Sequence, residues 1–257
     1  MGPMDLPPRL LRETILAGGE LHDELPSTNS HALARGLSIE QVPYLVWARR
    51  QTAGRGRGQN QWWAKDGALT FTLILEPARF EIPQSNWPAL SLCVGTAVCL
   101  YLQRMQITDV RLKWPNDVYV NSRKICGVLI ESIPHRQGQL AVGIGLNVNN
   151  SMQSAPTDLQ QRATSLCDLL GEELPLTSTL VAVLNELTGV LQLLGRNPAE
   201  LPPLWRHLCW LTGRTVTITD AGHSRTGQVL GIADDGALRL WIDGREIRCV
   251  SGTVEIV

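Results

Sequence analysis

The chain has 257 residues, 44% of them hydrophobic and only 18% charged, so it can bury a substantial core and lacks the composition of a disordered protein. Its formal net charge of −1 argues against a broad electrostatic affinity for nucleic acid or anionic membrane, so anion binding has to rest on local clusters. The six cysteines lie mostly in apolar runs and form no Cys-x-x-Cys pair, no apolar run reads as long enough to cross a bilayer, and no signal core follows a charged start. A cytoplasmic location with free thiols is the expectation.

Residues 1–20 hold three prolines and a short amphipathic piece at 10–16, and read as an N-terminal extension too small for a winged-helix DNA-binding domain. Ser27-Thr28-Asn29-Ser30 precedes Ala32-Leu33-Ala34 and predicts a helix N-terminus. Two apolar runs, 44–48 and 69–75, read as strands. Between them lies Gln51-Thr52-Ala53-Gly54-Arg55-Gly56-Arg57-Gly58-Gln59-Asn60-Gln61-Trp62, and from Arg49 to Asn60 there are four arginines and no acidic residue. Three glycines make such a connection costly to order, so it reads as a mobile loop that an anion would pin. Trp62 and Trp63 fit either stacked core or a lid over a planar ligand, with core preferred for at least one.

Apolar residues from Trp87 to Met105 recur at helical spacing and predict a helix over 84–106. Strands follow at 110–114, 118–120 and 124–132, with turns at Pro115-Asn116-Asp117 and Asn121-Ser122, so that Lys113, Asp117 and Lys124 can converge across the ladder. Residues 140–149 supply another strand, whose glycines permit close approach. Residues 150–163 read as a polar surface loop, and helices at 164–170, 178–194 and 198–210 cover the sheet. Beyond Gly213 short alternating strands at 215–219, 226–232, 237–242, 246–250 and 253–257, with Asp-Gly turns, predict a small barrel.

Five motifs in order, Ser27-Thr28-Asn29, Gly54-Arg55-Gly56-Arg57, Lys113-Trp114-Pro115-Asn116-Asp117, Arg123-Lys124 leading to Gly127-Val128-Leu129-Ile130-Glu131, and Gly143-Ile144-Gly145-Leu146-Asn147-Val148-Asn149, resemble the catalytic domain of biotin–protein ligases. The likeness is to the monofunctional type, without an N-terminal DNA-binding domain. It implies an α+β fold in which a mixed, class II synthetase-like central sheet is covered by helices (residues 1–212), followed by an SH3-like C-terminal barrel (213–257). It also implies a two-step reaction: biotin and ATP give biotinyl-5′-AMP and pyrophosphate, and the acyl group passes to a lysine of a biotin carboxyl carrier protein, a subunit of acetyl-CoA carboxylase. Mg²⁺ would accompany ATP, no nucleic acid or membrane partner is implied, and the chain would act as a monomer or homodimer.

By the same resemblance Ser27, Thr28, Asn29, Gln51, Arg55, Gly56, Arg57 and Lys124 would bind biotin. Arg55, Arg57, Trp62, Lys113, Asn116, Asp117 and Asn147 would bind the nucleotide, with Asp117 also at the metal. Lys124 and Arg57 would be catalytic, and Asp117 would assist deprotonation of the carrier lysine. One departure stands out: where the family commonly continues with a second Arg-Gly-Arg, this chain has Gly58-Gln59-Asn60, which implies a looser hold on the adenylate. The competing readings are a lipoate–protein ligase or octanoyltransferase of the same superfamily, the latter needing a nucleophilic cysteine such as Cys126, and a nucleic-acid-binding module using the arginines and the eight tryptophans. No phosphate-loop signature Gly-x-x-x-x-Gly-Lys-Ser/Thr occurs.

Overall fold

The computed structural model describes residues 2–257. Its larger sheet has seven strands, β1 (Gly18–Leu25), β2 (Tyr44–Gln51), β3 (Leu69–Leu75), β4 (Val110–Lys113), β5 (Asp117–Val120), β6 (Arg123–Ser132) and β7 (Leu140–Leu146), in the order β1-β2-β3-β7-β6-β5-β4. β1 and β2 run parallel and every other pair is antiparallel, which makes the sheet mixed. The helices are α1 (Pro8–Glu13), α2 (Thr28–Arg35), α3 (Leu90–Arg104), α4 (Thr157–Arg162), α5 (Leu166–Leu170), α6 (Leu176–Arg196) and α7 (Leu201–Leu208).

The period-2 geometry of strands divides the sheet into two unlike faces. In β3, Leu69, Phe71, Leu73 and Leu75 enter the main core, and so do Val142, Ile144 and Leu146 of β7 and Val118 and Val120 of β5. The helices α3 and α6 pack against each other over this face. The apolar stripe of α6, Leu180, Val183, Leu184, Leu187, Val190, Leu191 and Leu194, is wholly buried. The alternate positions, Thr70, Thr72, Gly143, Gly145 and Asp117 among them, belong to the opposite face, where α2 and a second, smaller core of Leu25, Ala32, Val46, Ala48 and Ile74 cover one end.

Several boundaries differ from the sequence reading. β1 is a full strand that the sequence reading does not assign, only its first three residues falling in the predicted extension 1–20; its alternate positions Glu20 and His22 are buried polar residues, so the usual apolar alternation is missing. The helix predicted at 84–106 begins as a 3-10 segment, Gln84–Ala89, which accommodates Pro88 before α3 starts. The predicted surface loop 150–163 contains a 3-10 turn, Met152–Ser154, and α4. Two segments, Gln84–Arg104 and Leu176–Arg196, are long and apolar enough to span a bilayer, contrary to the reading that none is; 67% and 50% of their apolar windows are buried as core helices.

The second sheet comprises β8 (Thr215–Asp220), β9 (His223–Ile232), β10 (Leu238–Ile242), β11 (Arg245–Cys249) and β12 (Thr253–Ile256), in the antiparallel order β11-β10-β9-β8-β12, consistent with an SH3-like module. Its apolar residues Val216, Val229, Ile232 and Leu238 join the same continuous core as the large sheet. The buried Trp114 indole donates to the Gly236 carbonyl at 3.0 Å, and the Trp210 amide donates to Leu112 O at 2.8 Å. These contacts fix the small sheet beside the end of β4.

Candidate active site

The polar face of the large sheet floors a cavity of about 410 Å³, walled by the start of α2, the arginine loop, α4 and the β12 end of the small sheet. That volume is in the range of ligand pockets. Every residue singled out from the sequence, Ser27, Thr28, Asn29, Gln51, Arg55, Gly56, Arg57, Trp62, Lys113, Asn116, Asp117, Lys124 and Asn147, lines it.

At the α2 end, Ser27 is the N-cap, its hydroxyl accepting from the Ser30 amide at 3.4 Å. The side-chain Oε1 of Gln51 accepts from the Thr28 amide at 2.7 Å and from the Thr28 hydroxyl at 3.1 Å. Thr72 Oγ1 donates to Asn29 Oδ1 at 2.6 Å, while Asn29 Nδ2 donates to Leu129 O at 3.2 Å and to Glu131 Oε2 at 2.9 Å. Ser27, Thr28 and Asn29 are all buried. This crowding explains Gly143 in β7, because a Cβ there would lie 2.0 Å from Asn29 Oδ1.

The middle of the pocket depends on a β-bulge. Lys124 and Cys126 are two apart and would share a face in a regular strand, yet Cys126 is in the core. The register with β5 shifts between Val118, opposite Cys126, and Tyr119, opposite Lys124, leaving Ile125 as the extra residue and turning Lys124 to the pocket. There Lys124 Nζ meets Asp117 Oδ1 at 2.7 Å and lies 5.7 Å from the Trp62 ring centroid. The Trp62 ring rests on the sheet, where a Cβ at Gly145 would come within 2.4 Å of it. Neither tryptophan is core: Trp62 and Trp63 are both half-buried pocket walls, Trp63 packing beside Met152, Ala155 and Ala163.

Lys113 pairs in register with Asp117, but its ammonium sits 5.5 Å from the Tyr119 ring, and the ion pair goes to Lys124. Burial lowers the Lys113 pKa, with Asp117 opposing and Lys124 adding to the shift. Burial likewise raises the Tyr119 phenol. Asp117 Oδ1 is committed to the ion pair with Lys124. Asn116 Nδ2 donates to Val128 O at 2.8 Å. Asn147 is consumed internally: Nδ2 donates to Thr164 O and Oδ1 accepts from Asn150, both at 3.0 Å, so its side chain holds the α5 approach in place beside the pocket.

The arginine loop is a formed hairpin. Arg55 bridges Gln61, the Gly56 amide donates to Asn60 O at 2.8 Å, and Asn60 donates to Arg57 O from both its amide and its side chain. Gly58 holds φ +65° at the tip, a conformation glycine adopts freely. Arg55 is not free for an anion: it donates to Glu131 Oε1 at 2.7 Å and to Ser30 Oγ at 3.3 Å. Arg57 makes no ion pair among the described residues and donates to the Gly252 carbonyl, 195 residues away, at 2.8 Å.

Sequence reasoning named Glu131 only as the end of a motif and gave it no role, and it gave none to Thr72, Tyr119, Arg162 or Gly252; Thr72 and Glu131 bond Asn29, Glu131 also bonds Arg55, and the other three are in the wall. The signal for the first two was the alternation itself: Thr70 and Thr72 interrupt the apolar run of β3 on one face, and Glu131 ends the same face of β6.

Residues 23–149 match the Biotin/lipoate A/B protein ligase family. The bifunctional ligase/repressor BirA of Bacillus subtilis is 32% identical over 85% of this chain and 68% of that protein. The biotin–[acetyl-CoA-carboxylase] ligase of Mycobacterium tuberculosis is 31% identical over 96% of this chain and 94% of its own length. Among solved structures, biotin protein ligase from Aquifex aeolicus in complex with biotin and ATP superposes with a TM-score of 0.78, at 26% identity, covering 94% of this chain and 99% of that one. The chain belongs to the biotin/lipoate A/B protein ligase family.

Proposed function

We infer that this protein is an ATP-dependent biotin–protein ligase that activates biotin as biotinyl-5′-AMP and transfers the biotinyl group to a lysine of a carboxyl carrier protein. In the first step a biotin carboxylate oxygen attacks the α-phosphorus and the bond to pyrophosphate breaks. In the second the lysine amine attacks the acyl carbon, the C–N bond forms and AMP leaves. No covalent enzyme intermediate is required.

The observation that carries this reading is the pocket's double character, a buried hydrogen-bonding turn at one end and converging cations at the other. In the proposed assignment Ser27, Thr28, Asn29 and Gln51 recognise the polar ring of biotin, whose donors and acceptors suit a turn that offers both. Two anions have to meet for adenylation, so Lys124 offsets their repulsion and stabilises charge that develops on the acyl and phosphoryl oxygens. Arg55, Gly56 and Arg57 close over the carboxylate and the adenylate, exchanging their present partners Glu131 and Gly252 O for ligand. Lys113, Trp62 and Asn116 face the nucleotide, and Asn147 supports the wall.

Mg²⁺ fits this donor set in the manner of a metal carried in on phosphate: Asp117 is the one carboxylate among the lining residues, and Mg²⁺ uses one or two carboxylates with substrate phosphates and water. When bound, it would supply further positive charge to the phosphate oxygens. Asp117 itself positions Lys124 through the 2.7 Å ion pair. The carrier is proposed to be the acetyl-CoA carboxylase subunit for which the Mycobacterium relative is named.

The test is biotin-dependent exchange of labelled pyrophosphate into ATP, with lipoate and octanoate in parallel. Exchange with biotin is expected, and Lys124→Ala should lower it on the order of 10²–10³-fold. Exchange with lipoate or octanoate in place of biotin would transfer the site to a different acid; exchange with none would remove adenylation altogether.

A further inference from the structure

Outside this pocket the described residues hold one cluster of metal-ligating side chains, and it joins β1 to α2. Glu20 and His22 are two apart on β1 and project from one face, over which α2 brings His31. One ligand atom from each of the three lies within 4.8 Å of the others. His31 Nε2 is 2.9 Å from Glu20 Oε1, and His22 Nε2 is 3.6 Å from Glu20 Oε2.

The hydrogen bonds within the cluster do not account for all of it. Glu20 is satisfied by His31 and by Arg35 Nη1 at 3.4 Å. His22 is only 7% exposed, and its Nε2 is buried with no hydrogen-bond partner, since 3.6 Å to the carboxylate is too long for one. A buried imidazole nitrogen aimed at a carboxylate and a second imidazole is an unmet requirement that an ion would meet.

We propose that Glu20, His22 and His31 form a binding site for a divalent transition metal of the zinc class, with three protein ligands and one solvent position. Ligands about 2.0–2.1 Å from a tetrahedral ion lie roughly 3.3 Å from one another, and one ligand atom from each of the three residues already lies within 4.8 Å of the others, so side-chain rotations that draw them together complete the set. Two imidazoles and one carboxylate favour zinc over the oxygen-seeking Mg²⁺ of the nucleotide. Among the described residues Arg35 is the one arginine or lysine bonded to Glu20; its side chain is 45% exposed and can swing into solvent as the ion takes over its charge. An ion here would clip the edge strand to the helix whose first turn carries Thr28 and Asn29, a structural role separate from catalysis.

The test uses the full chain stripped of metal, without ATP or biotin. Zn²⁺ titrated calorimetrically should bind one ion per chain, and thermal unfolding should shift upward on the order of 5 °C at a hundredfold excess over Kd. Co²⁺ should give the visible absorption of a tetrahedral site. His22→Gln and His31→Gln should each weaken Zn²⁺ binding at least tenfold; His31 is the more exposed, so its variant keeps the test available if His22→Gln fails to fold. Zn²⁺ bound with unchanged affinity in the His31→Gln variant, or no saturable binding below millimolar in the wild type, would overturn the proposal.

Discussion

At the α2 end of the pocket Thr28, Asn29, Gln51, Thr72 and Glu131 are bonded to one another in a buried network, whereas at the opposite end Arg57 reaches the small sheet through a single bond to the Gly252 carbonyl. The first end has its geometry before any ligand arrives, so little ordering entropy remains to be lost there on binding. The second is a glycine-tipped hairpin whose exposed tip is held by its own turn and by one long-range contact. A small polar ring is suited to the rigid end, and a triphosphate that must enter and leave in pieces to the adjustable one. If this division is right, damage at the two ends should separate in kinetics.

Gly143→Ala should produce the largest effect of the changes that spare Lys124. Its Cβ would sit 2.0 Å from Asn29 Oδ1, and β7 is a central strand with no room to retreat, so the Asn29 amide has to leave its bonds to Thr72, Leu129 and Glu131. We expect a biotin KM raised on the order of 10²-fold and a stability loss of about 1–3 kcal/mol from overpacking, read from pyrophosphate exchange and urea denaturation. An unchanged biotin KM would show that the turn is not what biotin meets.

Arg57→Ala probes the other end and should be milder. Losing one charge-assisted bond to the carbonyl of buried Gly252 should cost about 1–2 kcal/mol of stability, raise the ATP KM roughly tenfold, speed escape of biotinyl-5′-AMP and leave the biotin KM within about twofold. Gly58 and Asn60 bear on the same point. Both are occupied in shaping the turn and offer no charge to the adenylate, so Arg57 carries what clamping the loop tip provides. A biotin KM that rises as much as that for ATP would erase the distinction between the ends.

What could be read from the sequence follows from how local each feature is. Lys113, Asp117 and Lys124 were legible because two short hairpins bring them together within a dozen residues. The bulge at Ile125 was not, although it decides which way Lys124 points; a period-2 reading places Lys124 on the core face with Cys126. The partners of the two loop arginines were invisible for a different reason. Glu131 is 76 residues from Arg55 and Gly252 is 195 from Arg57, and nothing in a local pattern encodes such meetings. β1 was missed because Glu20 and His22 occupy positions where an apolar alternation would have announced a strand. Asn147 was assigned to the nucleotide from its motif, while its amide is spent on Thr164 and Asn150.

The smallest effect should come from Cys126→Ala, and it bears on which chemistry the pocket runs. An acyltransferase with a cysteine nucleophile needs a thiolate that faces the substrate. Cys126 lies on the core face of β6, fully buried, and burial pushes its thiol up to about 12, with Lys124 opposing and Asp117 adding to the rise. At neutral pH the thiol therefore keeps its proton, and it lies on the wrong side of the sheet from Gly127 and the pocket. Adenylation and transfer should therefore stay within about twofold of wild type in the alanine variant, with a stability loss of about 1 kcal/mol for the lost packing. A loss of transfer beyond tenfold in a folded variant, with a hydroxylamine-sensitive acyl-enzyme in the wild type, would require the strand to expose its other face during turnover and would return the transferase chemistry to this site.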